Sequence, residues 1–243
     1  MKSRPTPKLD KTPPSAGRAR RAKAGNRERI VEAAIELMNE RGSLIGTTQV
    51  AAHLGISHGN LYYHFGNMQA IVREILLRLR EELRQTLEMR PDEVVDAPRL
   101  VGYYTNGAKV LWRYRFMVAS ALELTSGNAE LEAEYQQFTV AGIDAISRII
   151  ANVVRHHPGP VRAQRSDCRK LAENMWVLWN AWPRHAELAR ASSRVSPAAI
   201  ARGLEMIAMT LAPYVEAEFH ARVKQGVRRF ALSLQGAGDT AAG

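Results

Sequence analysis

The stretch Gly55-Ile56-Ser57-His58-Gly59-Asn60-Leu61-Tyr62-Tyr63-His64-Phe65 restricts this chain more than any other. Gly55 can take the left-handed conformation that closes a helix, and Ser57 stands where an N-cap belongs. Leu61 and Phe65 are four apart, so they share one buried face of a short helix. His58, Gly59, Asn60, Tyr62, Tyr63 and His64 are left for its flanks and outer face. A helix that displays hydrogen-bonding and aromatic groups with almost no charge is suited to reading a surface, and nucleic acid is the first candidate.

The rest of the chain reads as helix, with no alternating strand pattern and no internal repeat, so the expected fold class is all-α. A first amphipathic helix runs from Asn26, a candidate cap, to about Arg41, with Ile30, Ala34, Leu37 and Met38 inward and Gly42 as its stop. Thr47 or Thr48 caps a second through Leu54, and the third covers His58 to Phe65. After Gly66-Asn67 a longer helix runs from Met68 to about Met89. Further helices are expected near 99–112, 115–125, 129–156, 165–182 and 197–223, with caps at Asn128, Ser166 and Ser196 and Pro197 in a first turn. Breaks are expected at His156-His157-Pro158-Gly159-Pro160 and at Trp182-Pro183, and Pro213 must kink or split the last helix. The expected domains are a disordered basic arm (1–25), a three-helix head (26–72), a helical body (73–232) and a flexible tail (233–243).

Charge is distributed unevenly. The formal net charge is +10, and residues 1–25 hold eight cations against Asp10 alone, a net of +7 that leaves +3 for the remainder. A Pro-rich basic segment cannot fold alone, and it suits phosphate. By contrast, no Lys, Arg, Asp or Glu occurs from Gly42 through Val72. The single cysteine, Cys168, excludes an internal disulfide framework and fits a reducing cytoplasm. The apolar runs fall short of the roughly 20 residues of a membrane span, and the N-terminus lacks the apolar core of a secretory signal.

Ala51-Ala52-His53-Leu54-Gly55-Ile56-Ser57 followed by Gly59-Asn60-Leu61-Tyr62-Tyr63-His64-Phe65-Gly66-Asn67 resembles the DNA-binding head of TetR-family transcriptional regulators. The resemblance implies a helix-turn-helix in which His58 and Gly59, with Thr48 and Tyr63, approach base edges. It implies phosphate contacts from Thr47, Asn60, Tyr62 and His64. The family usually carries a lysine where this chain has Met68, so one phosphate contact is expected to be missing. Arg18, Arg20, Arg21 and Lys23 of the arm are expected to compensate, entering the minor groove, with Arg27, Arg29 and Arg73 as the nearest other cations.

The same resemblance assigns the body to effector binding and dimerisation. Trp176, Trp179 and Trp182 recur at three-residue steps, which sweep a broad stripe. With other aromatic residues they suggest a pocket for a partly apolar small molecule, and Tyr103, Trp112, Phe116, Phe138, Met175 and Trp179 are its candidate lining. Asn106, Glu123, Asn174 and Asn180 are candidate polar groups. For any one of these residues taken singly, core packing or an interface is the simpler account. Leu204, Ile207, Ala208, Leu211 and Val215 form an apolar seam expected to pair two copies, which implies a palindromic double-stranded operator. No P-loop, dinucleotide-binding glycine pattern, nucleophile elbow or metal-ligand spacing is present, so no enzyme activity, cofactor or metal is expected. His53, His58 and His64 lack the spacing that puts ligands on one face. The expected function is an effector-controlled, sequence-specific regulator, in the sense of a repressor. The alternative is an architectural or weakly specific nucleic-acid-binding protein without an effector.

Overall fold

Gly46, Ser57, Asn67, Asp96 and Asn128 each precede a helix in extended backbone, and the last four accept an amide of the first turn through their side chains. Each such cap is worth about 1 kcal/mol. The computed structural model describes residues 16–41, 45–190 and 197–239, and within them the chain is helical without strands. The helices are α1 (Ala16–Arg41), α2 (Thr47–Leu54), α3 (His58–His64), α4 (Met68–Thr86), α5 (Ala97–Arg113) and α6 (Arg115–Ala119). They continue with α7 (Ala121–Thr125), α8 (Ala129–His156), α9 (Arg165–Arg190), α10 (Pro197–Leu211) and α11 (Ala217–Asp239).

Several expectations are corrected. Helix α1 starts ten residues before Asn26, so the expected arm is helical from Ala16 on. Residues 16–25 are mainly Ala, Arg and Lys, all strong helix formers, and the prolines stop at Pro14. Residues 1–15, Gly42 and Ser196 lie outside the described residues. The cap of α2 is Gly46, not Thr47 or Thr48, and its amide donates to the Gln49 side chain at 2.7 Å. Helix α9 opens at Arg165, one residue before Ser166, and runs through Trp182-Pro183 without a break. Trp182 is anchored across the bundle, its indole donating to the Ala199 carbonyl at 2.6 Å, and this packing outweighs the ladder bond that Pro183 removes. The tail expected from 233 on is helical to Asp239.

Pro213 splits the last helical stretch. Helix α10 ends at Leu211, a 3₁₀ turn spans Ala212–Tyr214, and Val215 is extended. The loop after α8 seals this break, because Gly159 and Val161 donate to the Tyr214 and Pro213 carbonyls and Glu216 donates to His157. A Cβ on Gly159 would sit 2.6 Å from the Tyr214 carbonyl carbon, so glycine is what permits the approach.

The three tryptophans organise the body. Three-residue steps leave successive side chains about 60° apart around a helix. Trp176, Trp179 and Trp182 therefore face three different neighbours, and each ring lies against a glycine: Gly142 on α8, Gly107 on α5 and Gly203 on α10. Phe138 meets Trp176 edge-on at 5.3 Å. The core is continuous from Ile30 in the head to Val227 in α11, passing through the inner face of α4 at Ile71, Ile75, Leu76, Leu79 and Leu83. Cys168 is buried in it, and burial, then the charge of Asp167, pushes its thiol pKa up. Helix α8 is long and apolar enough by composition to span a membrane, and it spends its apolar face on this core.

Candidate nucleic-acid interface and effector cavities

Helices α2 and α3 meet at Gly55, which has φ 64°, and Ser57 caps α3 by accepting from the Asn60 amide at 3.2 Å. Leu61 and Phe65 are buried against α1, and the opposite face of α3 points outward. Tyr62 is 53% and Tyr63 69% exposed. His58, Gly59 and Asn60 are exposed beside them, as is Thr48 on α2, while Thr47 and His64 are half-buried. Of the expected contact residues, Thr48, His58, Gly59, Asn60, Tyr62 and Tyr63 are exposed, whereas the ring Nδ1 of His64 is buried. Thr47 and His58 share a hydrogen bond of 3.1 Å, and the His58 and Tyr62 rings lie 4.9 Å apart, so the residues at the tip of α3 hold one another in place. His53 lies apart from this group, facing Glu36 at 3.8 Å.

Two cations expected to help hold phosphates are committed elsewhere. The Arg27 guanidinium packs over the Phe65 ring, donates to the His64 carbonyl at 3.1 Å and pairs with Glu74 at 2.7 Å. Partial burial raises the Glu74 pKa, but hydrogen bonds and charge from Arg27 and Arg78 outweigh it and hold the group below its ordinary value. Arg73 pairs with Glu130 and Glu134 of α8 at 2.7 and 2.6 Å. Met68, in place of the family's lysine, packs against the core. Arg29 is exposed, with one long contact to Asn26 at 3.4 Å. Helix α1 also carries Arg18, Arg20, Arg21 and Lys23 ahead of the head.

Sequence reading missed the polar network that fastens this head to the body. Asn39 of α1 donates to the Arg113 carbonyl at 2.7 Å and accepts from the Phe116 amide at 3.2 Å. Arg113 pairs with Glu32 of α1 at 2.7 Å, and Arg78 of α4 pairs with Glu28 at 2.6 Å. The Tyr114 hydroxyl donates to Glu82 of α4 at 2.6 Å. Polar contacts, several of them charge-assisted, therefore link helices α1, α4, α5 and α6.

The expected pocket residues do not line one cavity. Tyr103, Met175 and Trp179 border a void of about 20 Å³, room for a water molecule. Trp112 and Trp179 border another of about 40 Å³. Phe116 is buried in the core, and Phe138 lines a separate cavity of about 540 Å³ between α4 and α8. The glycine-indole contacts explain the small voids: they fill the centre of the body that an aromatic-rich sequence left open for a ligand. Asn174 is exposed, and Asn180 donates back to the Trp176 carbonyl at 2.6 Å.

The expected dimer seam is also corrected. Leu204, Ile207, Ala208, Leu211 and Val215 are all at most 2% exposed within the single chain, so they are spent on its own core. Among the described residues, the large apolar side chains exposed on α9 and α10 are Val177, Met206 and Met209.

Comparison with known proteins agrees with this geometry. Residues 30–75 match the profile described as bacterial regulatory proteins of the tetR family, and residues 78–223 match that described as TetR, bacterial transcriptional repressor. No curated protein gives a significant match. Among solved structures, the chain resembles a TetR-family transcriptional regulator from Marinobacter aquaeolei VT8, with 26% identity, 84% of this chain and 98% of that one covered, and a TM-score of 0.75. A γ-butyrolactone receptor described as ArpA-like has 16% identity, coverage of 88% and 99%, and a TM-score of 0.60. A SmeT–triclosan complex has 18% identity, coverage of 79% and 92%, and a TM-score of 0.54. With both its head and most of its body matched, this chain belongs to the TetR family of bacterial DNA-binding transcriptional regulators.

Proposed function

We propose that this protein is a homodimeric repressor that reads a palindromic operator with α3 and releases it when a small molecule binds the body. The observation that carries the reading is the outer face of α3, where two exposed tyrosines, His58 and Asn60 stand together without a formal charge. Neutral donors of this kind discriminate bases and fix register, but they release few counterions. Arg18, Arg20, Arg21 and Lys23 supply the missing attraction. Because they stand on a helix about 10 Å wide or more, they track the backbone rather than enter a minor groove about 6 Å wide. The similarity to a triclosan-bound protein and to a γ-butyrolactone receptor supports a ligand-responsive body.

Replacing His58 by alanine is expected to lower the preference for operator over random duplex by about tenfold or more, the worth of one good base contact. Tyr62→Phe should instead weaken both duplexes alike, because a phosphate donor carries no sequence information. Competition binding measures both. An undiminished preference in His58→Ala would remove α3 from the reading role, and equal affinity for all duplexes in the native protein would favour the architectural alternative.

The paired surface in this reading is the outer face of α9 and α10, with Val177, Met206 and Met209 at its centre. Apolar side chains exposed by more than a third on two packed helices suit a second copy of the same face, related by a two-fold axis. Met209→Glu should shift the protein to monomer in light scattering and abolish binding to paired half-sites, while its helical content stays native and its unfolding midpoint falls by what dimer linkage contributes. A dimer that persists in this variant would place the interface elsewhere.

A further inference from the structure

Helices α4 and α8 diverge over a cleft that their buried side chains do not fill. Its inner part, about 540 Å³, has Leu83 of α4 and Leu87 just after it on one side and Phe138, Gly142 and Ala145 of α8 on the other. Arg80 and Arg84 of α4 and Arg148 of α8 stand at its exposed edge, with Glu88, which pairs with Arg84 at 3.8 Å. Met89 and Arg148 also line a second, wider groove of about 1250 Å³, so the two adjoin across these side chains. This outer groove runs along the end of α8, the loop after it and the start of α9. It gathers Arg148, Arg155, Arg162, Arg165 and Arg169. Asp144, the acid in its lining, is held by Arg169, which also pairs with Glu173. The other four arginines have no carboxylate partner among the described residues.

We propose that this cleft binds an amphipathic anion, an apolar chain seated between α4 and α8 with a phosphate or carboxylate head on the arginines. The inner volume lies in the range of small-molecule sites, and Leu83, Leu87, Phe138, Gly142 and Ala145 give it an apolar floor, with Gln137 and the charged side chains around it. Guanidinium groups match oxygen-rich anions through paired N–H donors, and several of them without counter-charges repel one another until an anion arrives. Arg148 belongs to both parts and marks the junction where head and chain meet. The site also has leverage on the head, a consequence that rests on the effector reading above. The N-terminal part of α4 is pinned to α8 by Arg73 with Glu130 and Glu134, and Asn128 donates to Gln69 at 3.3 Å. A chain wedged against Leu83 and Leu87 would pivot α4 about that pin.

The test is calorimetric titration of the full chain with decyl phosphate below its micelle concentration, beside inorganic phosphate, decanol and decanoate. Decyl phosphate is expected to bind at least about tenfold more tightly than phosphate or decanol alone, since chain and head act together. Decanoate should bind if charge suffices, and its failure would restrict the head to phosphate. Arg148→Ala combined with Arg155→Ala should weaken decyl phosphate by about tenfold or more, the worth of charge-assisted contacts. Ala141 is exposed and lines the inner cleft, so Ala141→Phe should block the chain without disturbing the fold. Absence of decyl phosphate binding, or binding that both variants leave unchanged, overturns the site. Binding that meets these expectations yet leaves operator affinity unaltered upholds the site and removes the effector reading from it.

Discussion

Gly142→Ala is expected to destabilise the body by about 1–3 kcal/mol, the usual cost of forcing an extra carbon into a filled core. The ring of Trp176 already occupies the space a Cβ would take, and Phe138 closes on the same ring from its edge at 5.3 Å. The indole cannot retreat without disturbing both α8 and α9. Trp176→Ala is the larger change, at about 3–5 kcal/mol, because it empties a buried site. The combination distinguishes overpacking from loss of backbone freedom: with Trp176→Leu already in place, Gly142→Ala should cost much less than it does alone, a coupling of the size found for residues in contact. Chemical denaturation of the four proteins closes the cycle. Additive effects would mean that the glycine serves α8 itself and not the indole.

Neutralising the cations at the start of α1 should have the largest effect on DNA affinity. Changing Arg18, Arg20, Arg21 and Lys23 together to alanine keeps a helix-forming sequence, so the change is electrostatic. Each lost phosphate contact lowers the slope of log affinity against log salt by about 0.9, so four should flatten it by about 3 to 4. Affinity near 50 mM salt should fall on the order of a hundredfold. The ratio of operator to random-duplex affinity should barely move, because these residues attract phosphate and read nothing. Binding measured across a salt series reports slope and ratio together. An unchanged slope would show that the uncharged head holds DNA without them, and a lost preference would move part of the reading onto the arm. The structure strengthens this expectation, since Arg27 and Arg73 are paired with Glu74 and with Glu130 and Glu134 and cannot take over the role cheaply.

The local features of the fold were legible in residue order. Ser57 and Asn128 cap where their side chains allow, Gly55 turns where only glycine turns freely, and Leu61 and Phe65 bury because they are four apart. These depend on neighbours within one turn. What depends on partners far along the chain was not legible. Leu204, Ile207 and Leu211 mark an apolar stripe, but periodicity is the same whether a stripe turns toward its own core or toward a second copy. Trp176, Trp179 and Trp182 looked like walls of a pocket, and the glycines that receive them stand on three other helices. The cation count of the head failed for a similar reason, because the acids that occupy Arg73 lie more than fifty residues away on α8. Pro183 shows that a local breaker yields when its neighbour is anchored across the bundle, as Trp182 is.

Whether α3 specifies a paired site is tested most directly by selecting bound duplexes from a random pool with the native protein, at a salt concentration where non-specific binding is weak. The expected product is an inverted repeat whose half-sites are centred about one duplex turn apart, or a multiple of it, and whose most constrained positions relax when His58 or Tyr63 is replaced. A pool that stays random after repeated rounds, or a recovered site with a single half that His58→Ala and Tyr63→Ala leave unchanged, would contradict it.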